Sequence, residues 1–192
     1  MSLQGIDHFN FERIAVVGTS CSGKTTFARS LAAILGFPHI ELDVLHWLPG
    51  WEERPLEDFR KVVGKETSNQ QWVLDGNYSK VRDIVWGRAT DVIWLNYSFP
   101  LVFSRALRRT IRRAVTREEL FSGNRESFRM TFFSKDSLLL WILKTYRRNR
   151  IMYRAFKESP EWMHLSFWEL RTSQEASDFL VQCSHATQNM LE

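Results

Sequence analysis

Residues 14–25 read Ile-Ala-Val-Val-Gly-Thr-Ser-Cys-Ser-Gly-Lys-Thr, an apolar run followed at once by G-x-x-x-x-G-K-T. The apolar run is rich in β-branched residues and is typical of a buried strand. The motif after it is the phosphate-binding P-loop pattern, which requires a strand before it and a helix after it. Because both neighbours are predicted here, we interpret the motif as a nucleotide-binding loop. The alternative is a Gly-rich turn that contains a lysine by chance.

Each position of this P-loop has a chemical reason. Gly18 and Gly23 allow the backbone to curl so that N–H groups point at phosphate oxygens, and the helix beginning at Lys24 adds its dipole. We expect Lys24 to act on the β- and γ-phosphates as a catalytic residue and the Thr25 hydroxyl to bind Mg²⁺, which makes ATP and Mg²⁺ the expected cofactors. The predicted nucleotide-binding residues of this segment are Gly18, Ser20, Cys21, Ser22, Gly23, Lys24, Thr25 and Thr26.

Acidic residues follow two further predicted strands. Residues 37–42 are predicted to form a short strand that ends before Asp43, and residues 71–75 a strand that ends on Asp75. In open parallel sheets ligands bind outside the carboxyl ends of the strands, so both carboxylates should face the P-loop ligand as catalytic residues. Asp75 is the expected Walker B residue, which binds Mg²⁺ beside Thr25. For Asp43, a helix N-cap or turn residue is the alternative.

Positive charge is concentrated in one part of the chain. The formal net charge is +4, yet residues 105–154 contain fourteen Lys/Arg against four Asp/Glu. Helices are predicted at about 100–115 and 136–156, and the polar segment between them, about 113–135, is predicted to be a lid that excludes water from the site. A nucleic-acid-binding surface or a solvated basic face is the alternative for the same charges.

Specific arginines of this segment are predicted site residues. Arg105 and Arg109 are four positions apart and lie on one face of the first helix. Together with Arg147 on the second helix, they are expected to neutralise charge on the transferring phosphoryl group as catalytic residues. Arg109 is also predicted to bind the nucleotide, as is Ser173, which begins the last predicted helix after a strand over 162–168.

Length and composition fit a single domain spanning residues 1–192, with 44% hydrophobic residues and no internal repeat or low-complexity segment. Within it, an acceptor-binding insertion is predicted at about 43–70. Two cysteines and five histidines show neither a disulfide framework nor zinc-ligand spacing. The polar residues 1–13 do not resemble a signal peptide, and the longest strongly apolar stretch is far too short for a membrane span. We therefore expect a cytoplasmic protein without a membrane partner.

Several segments together resemble one known group of proteins. The P-loop, residues 42–51, residues 72–79, the basic helix and residues 123–127 look like the adenylate kinase-related P-loop proteins known as the DNA topology modulation protein FlaR family. The resemblance runs over nearly the whole chain. It implies an α/β P-loop NTPase fold similar to nucleoside monophosphate kinases, with a five-stranded parallel sheet, an acceptor-binding insertion after the second strand and an arginine-rich lid.

The match to adenylate kinases themselves is only partial. Asp75-Gly76 matches the Asp-Gly that closes their third strand, but Asn77-Tyr78 stands where they have Phe-Pro-Arg. Asp43 is similar instead to the aspartate after the second strand of shikimate and gluconate kinases. If the acceptor group is a hydroxyl, Asp43 is the candidate base, whereas an already ionised phosphate needs no base and Asp43 then only helps to bind the acceptor.

The predicted function is thus an ATP-dependent phosphotransferase, a small-molecule kinase that acts on a nucleotide or nucleoside-like acceptor. Its expected partners are the nucleoside triphosphate and that acceptor. The alternative is a nucleic-acid-binding P-loop NTPase or regulator with a role in DNA topology, which the basic segment and the family resemblance both suggest. The acceptor-stimulated consumption of ATP and the salt-dependent binding of nucleic acid are the observations that distinguish the two.

Overall fold

The computed structural model describes residues 9–116 and 138–191. In chain order its strands are β1 (Arg13–Gly18), β2 (His39–Glu41), β3 (Trp47–Leu48), β4 (Glu52–Glu53), β5 (Trp72–Asp75), β6 (Asp91–Leu95) and β7 (Ser166–Leu170). The helices are α1 (Lys24–Leu35), α2 (Leu42–His46), α3 (Leu56–Glu66), α4 (Arg82–Arg88), α5 (Phe99–Thr116), α6 (Leu138–Lys157) and α7 (Ser173–Leu191).

The main sheet has five strands in the order β2-β5-β1-β6-β7, and every neighbouring pair is parallel. Strand β1 lies at its centre, so the P-loop that follows β1 emerges from the middle of the carboxyl edge. Parallel strands need crossover connections, and the helices between them supply these. The predicted α/β fold with a five-stranded parallel sheet flanked by helices is therefore confirmed.

Both faces of the sheet are covered, as expected for parallel strands that read as continuous apolar runs. Along β1, Ile14 and Val16 pack into one buried cluster, which includes residues of α1, α5 and α7. Ala15 and Val17 point the other way, into a second cluster that includes residues of α3 and α4. Side chains of β1 therefore alternate between the two buried layers, and this packing on both faces fixes the position of the strand end from which the P-loop begins.

Element boundaries differ from the sequence prediction at several places. The short strand expected over 37–42 is β2, three residues long, and Leu42 already begins α2. The strand expected over 162–168 is also misplaced, because Trp162 ends a 3-10 turn that begins at Pro160 and β7 starts only at Ser166. Apolar aromatic residues at 162–168 favour a strand locally, but tertiary packing of Trp162 decides otherwise.

The predicted insertion and lid have different outcomes. Residues 43–70 contain most of α2, the antiparallel pair β3–β4 and α3, and their role in binding an acceptor stays a prediction. Most of the predicted lid, residues 117–135, lies outside the described residues. None of the helices in the described ranges is both long enough and apolar enough to cross a membrane.

Candidate active site

The P-loop joins the end of β1 to the start of α1 in a backbone geometry that requires glycine at its first position. Gly18 has φ 152°, and a Cβ atom there would lie 2.8 Å from the carbonyl oxygen of Leu95 and 2.9 Å from Oγ of Ser22. Gly23, with φ 93°, precedes the first helical residue, Lys24. The motif therefore has the strand-loop-helix context that its phosphate-binding chemistry requires.

The side chain of Lys24, the first residue of α1, reaches back to the P-loop. Its Nζ donates a hydrogen bond of 3.2 Å to the carbonyl oxygen of Thr19. Burial of the ammonium group lowers the pKa of Lys24, and the carboxylates of Asp43 and Asp75 oppose that shift. The charges of both predicted acidic site residues, Asp43 and Asp75, thus favour the protonated form of Lys24.

The loop also contains polar groups that fit a phosphate. Oγ of Ser22 and Nε of Arg109 are buried, and neither has a hydrogen-bond partner in residues 9–116 and 138–191. Buried polar groups are almost always paired, so such exceptions call for an explanation. Phosphate oxygens accept hydrogen bonds from both kinds of donor, and these residues therefore fit the triphosphate of a bound nucleotide.

Asp75, at the end of β5, contacts side chains of both β2 and the P-loop helix α1. The Thr25 hydroxyl donates to its Oδ2 at 2.7 Å, and Nε2 of His39 lies 2.7 Å from its Oδ1. In the described part of the chain, no group of three or more His, Cys, Asp or Glu side chains is arranged to hold a metal ion. The pair Thr25–Asp75 fits Mg²⁺ instead, because this ion is usually bound through one or two protein oxygens together with substrate phosphates and water.

Asp43 lies in the first turn of α2, directly after β2. The hydroxyl of Tyr78 donates to its Oδ1 at 2.6 Å. Burial and the Asp43 charge raise the pKa of Tyr78 well above its ordinary value, so that it stays a protonated donor. Close approach of Gly76 supports this geometry, since a Cβ atom there would lie only 2.6 Å from Cβ of Leu42 at the start of α2.

Arginines of α5 reach the P-loop from the other side. Nη1 of Arg105 donates to the carbonyl oxygen of Ser22 at 2.8 Å, and its Nη2 donates to Oγ of Ser173 at 2.9 Å. Nη1 of Arg109 contacts Sγ of Cys21 at 3.9 Å. The predicted set Arg105, Arg109 and Ser173 is therefore brought together at the loop.

The other predicted site residues, Thr26, Ser20 and Arg147, make fewer contacts with the residues described above. Thr26 is exposed in the first turn of α1, and Ser20 is half-buried in the loop. Arg147 is exposed on α6, and the contacts of the described residues do not bring it to the P-loop. Its predicted catalytic role has no geometric support here.

Four residues with roles in the site geometry were not predicted from the sequence: His39, Asn77, Tyr78 and Tyr153. Asn77 hydrogen-bonds to both backbone groups of Gly18 and to the Tyr153 hydroxyl. The signal for Asn77 and Tyr78 was present, because both directly follow Asp75-Gly76 at the carboxyl edge of the sheet. His39 and Tyr153 gave no such signal, because their contacts depend on which strands and helices become neighbours.

No model of a known protein family matches the chain, and no curated protein matches it. Among solved structures, shikimate kinase from Acinetobacter baumannii in complex with shikimate is similar over 95% of this chain and 92% of that chain, with a TM-score of 0.55 and 18% identity. Gluconokinase from Sinorhizobium meliloti 1021 is similar over 94% of this chain and 96% of that chain, with a TM-score of 0.49 and 19% identity.

A shikimate kinase from Bacteroides thetaiotaomicron is similar over 92% of this chain and 98% of that chain, with a TM-score of 0.48 and 14% identity. Of these three alignments, the one with the Acinetobacter baumannii enzyme has the highest TM-score. It pairs nearly the full length of both chains but at low identity, and so it concerns the fold and not the substrate. The chain has the fold of a P-loop kinase.

Proposed function

We propose that this protein is an ATP- and Mg²⁺-dependent kinase that phosphorylates a hydroxyl group of a small, nucleoside-like molecule. The observation that carries the proposal is the hydrogen bond of 2.7 Å from the Thr25 hydroxyl to Asp75, directly beside Lys24 in the P-loop motif; the carboxylates of Asp43 and Asp75 also oppose the lowering of the Lys24 pKa by burial. A kinase needs a cation for the transferred phosphate, a metal-binding acid and an acid on the acceptor side. This site offers one residue for each task.

On the donor side, the P-loop backbone, Ser22 and Lys24 would hold the triphosphate, and Thr25 with Asp75 would hold Mg²⁺. When bound, Mg²⁺ would neutralise charge on the phosphates. Arg105 supports the loop from outside through its hydrogen bond to Ser22. The catalytic contribution of these groups is positioning and electrostatic stabilisation rather than covalent chemistry.

On the acceptor side, Asp43 would accept the proton of the attacking hydroxyl. The oxygen–phosphorus bond to the acceptor forms while the bond between the γ-phosphorus and the bridging oxygen breaks, and the electron pair leaves with ADP. Tyr78 donates to Oδ1 of Asp43, and Oδ2 would face the acceptor. Partly exposed aromatic rings lie in the predicted acceptor-binding insertion, where Trp47 and Trp51 are 5.6 Å apart between ring centroids. Such rings suit a flat acceptor, for which a nucleoside is the simplest model.

The acceptor screen is the decisive experiment. Purified protein is incubated with ATP and Mg²⁺ and a panel of nucleosides, nucleotides and small hydroxylated metabolites, and ADP release is measured against a reaction without acceptor. We expect a hydroxylated compound to stimulate ADP release and Lys24→Met to abolish the stimulation. Lys61→Met, at an exposed position on α3, is the matched control. Stimulation that survives Lys24→Met contradicts the proposal, and so does a panel without any stimulating compound.

Exposed arginines favour a second candidate function, a nucleic-acid-binding NTPase related to the FlaR family. Arg108, Arg147, Arg148 and Arg154 are all exposed on α5 and α6. We rank it second because Arg105 and Arg109, from the same basic segment, contact the P-loop. Binding to duplex DNA that weakens steeply with added salt would support this function, and no binding at low salt would reject it.

A further inference from the structure

Asn77 holds the first glycine of the P-loop by both of its backbone groups. The N–H of Gly18 donates to Oδ1 of Asn77 at 3.4 Å, and Nδ2 of Asn77 donates back to the carbonyl oxygen of Gly18. The reciprocal pair fixes the orientation of the amide, because a flipped amide would set two N–H groups against each other. Asn77 is two residues beyond the end of β5 and belongs to neither the P-loop nor α1.

The position of Asn77 follows from the strand register. Strands β1 and β5 pair from Arg13↔Trp72 to Val16↔Asp75, and the same offset assigns Gly18 to Asn77. The N–H of Gly76 still donates to the carbonyl oxygen of Val16 at 3.4 Å. At the next position, the side-chain amide of Asn77 replaces a backbone amide. The hydrogen bonds between β1 and β5 are thereby extended to Gly18 by a side chain.

A buried tyrosine of α6, Tyr153, also holds the side chain of Asn77 in place. The hydroxyl of Tyr153 in α6 donates to Oδ1 of Asn77 at 2.5 Å. Tyr153 is only 1% exposed, and burial raises the pKa of its hydroxyl, which keeps it protonated as a donor. A buried hydroxyl that lost this acceptor would be left unpaired, at a cost larger than the hydrogen bond itself. Asn77 thus connects the P-loop to the helix that follows residues 117–137.

We propose that Asn77 is a positioning residue of the nucleotide-binding loop and that Tyr153 holds it in place. The proposal rests on the nucleotide-binding part of the proposed function. Asparagine is required because its amide offers a donor and an acceptor at the same reach. Aspartate has the same shape but lacks the donor for the Gly18 carbonyl, and its negative charge would face that oxygen. Alanine removes all three hydrogen bonds, the two with Gly18 and the one from Tyr153.

The experiment compares nucleotide affinity and thermal stability in the full-length protein. Isothermal titration calorimetry with ADP and Mg²⁺, without acceptor, gives the dissociation constant for each variant. We expect Asn77→Asp to weaken ADP binding about tenfold, because it loses one hydrogen bond and adds a repulsion, and Tyr153→Phe about threefold, the size of one lost hydrogen bond. In the Asn77→Ala background, Tyr153→Phe should cause no further loss of affinity, because its partner is already absent.

Tyr146→Phe is the matched control. Tyr146 lies on the same helix, is buried, and its hydroxyl donates to the backbone carbonyl of Tyr97 at 2.9 Å instead of to the P-loop contact. Both tyrosine variants are expected to lower the melting temperature by similar amounts, but only Tyr153→Phe should weaken ADP binding. A merely structural role would affect stability alone.

Each outcome decides the proposal. Unchanged ADP affinity in both Asn77→Asp and Tyr153→Phe overturns it and leaves the kinase function intact. Equal loss of affinity in Tyr153→Phe and Tyr146→Phe also overturns it, since the effect is then general to α6. If Asn77→Asp does not fold, the comparison of the two tyrosine variants is sufficient. A wild-type protein that binds no ADP contradicts the proposed function itself, and with it this inference.

Discussion

The hydroxyl of Tyr78 and the carboxylate of Asp43 form a hydrogen bond of 2.6 Å between residues that are 35 positions apart in the sequence. The Tyr78 hydroxyl also forms a hydrogen bond with the Trp47 side chain. With two partners at one oxygen, Tyr78 fixes the rotation of the Asp43 carboxylate relative to the P-loop. A base must be held in a productive orientation to work at full rate, so this contact matters more for turnover than for folding.

Tyr78→Phe tests this contact. The substitution removes only the hydroxyl and retains the ring contacts with His46 and Phe59. We expect kcat for the stimulating acceptor to fall about tenfold, as for one lost orienting hydrogen bond, while KM for ATP stays unchanged. In the Asp43→Asn background the same substitution should have little further effect. Additive losses in the double variant, or a changed KM for ATP, would show that Tyr78 acts through something other than Asp43.

Asp75→Asn tests the metal assignment. The substitution places a neutral amide where a carboxylate oxygen now accepts from Thr25 at 2.7 Å, and an amide is a much weaker Mg²⁺ ligand than a carboxylate. We expect the Mg²⁺ concentration for half-maximal activity to rise at least about tenfold. The measurement is a Mg²⁺ titration of ATP-dependent transfer at saturating acceptor.

Asp91→Asn is the matched control for that titration. Asp91 is also a buried strand aspartate, and it accepts hydrogen bonds from Trp168 at 3.0 Å and Thr90 at 2.8 Å. It begins β6, at the opposite edge of the parallel sheet from Asp75, which ends β5. Its loss should lower stability without changing the Mg²⁺ requirement. An identical Mg²⁺ dependence in both variants would exclude Asp75 as a metal ligand.

The fold was predictable because its signals are local. The P-loop motif identified β1 and α1, and the buried run before Asp75 identified β5. The contacts inside the site were less predictable, because they join residues that only the strand order brings together. His39 meets Asp75 because β2 and β5 are neighbours, and Asn77 meets Gly18 because of the register between β5 and β1. A single sequence contains neither the order nor the register directly.

Glu41 gives a prediction about pH. Burial, Asp75 and Asp43 raise the pKa of Glu41 above its ordinary value. Between the unfolded and folded pKa values the folded protein therefore holds the additional proton, so stability falls as pH rises through this window and stays reduced above it. Glu41→Gln removes the charge. We expect it to raise the melting temperature relative to wild type at about pH 8 and to have a smaller effect at about pH 4.

The control for this comparison is Glu52→Gln, at an exposed position on β4. Thermal unfolding of wild type and both variants is measured at each pH in the same ionic strength. The Glu52→Gln protein should follow wild type at both values. A Glu41→Gln variant that is stabilised equally at both pH values would show that the effect comes from the shape of the side chain and not from its charge.

Arg105 bridges three parts of the site, and its geometry predicts that lysine cannot replace it. Its guanidinium donates to Ser22 of the P-loop and to Ser173 at the start of α7, and it lies over the ring of Tyr97, 5.1 Å from the centroid. A planar group with several fixed donors can serve these partners together, whereas the single ammonium group of lysine cannot. We expect Arg105→Lys to raise KM for ATP about fivefold to tenfold.

Arg108→Lys, at an exposed position on the same helix, should leave KM unchanged, and Ser173→Ala should show a smaller effect than Arg105→Lys because the contact to Ser22 remains. Equal values of KM for the two arginine variants would mean that α5 contributes charge to the site and not this specific bridge.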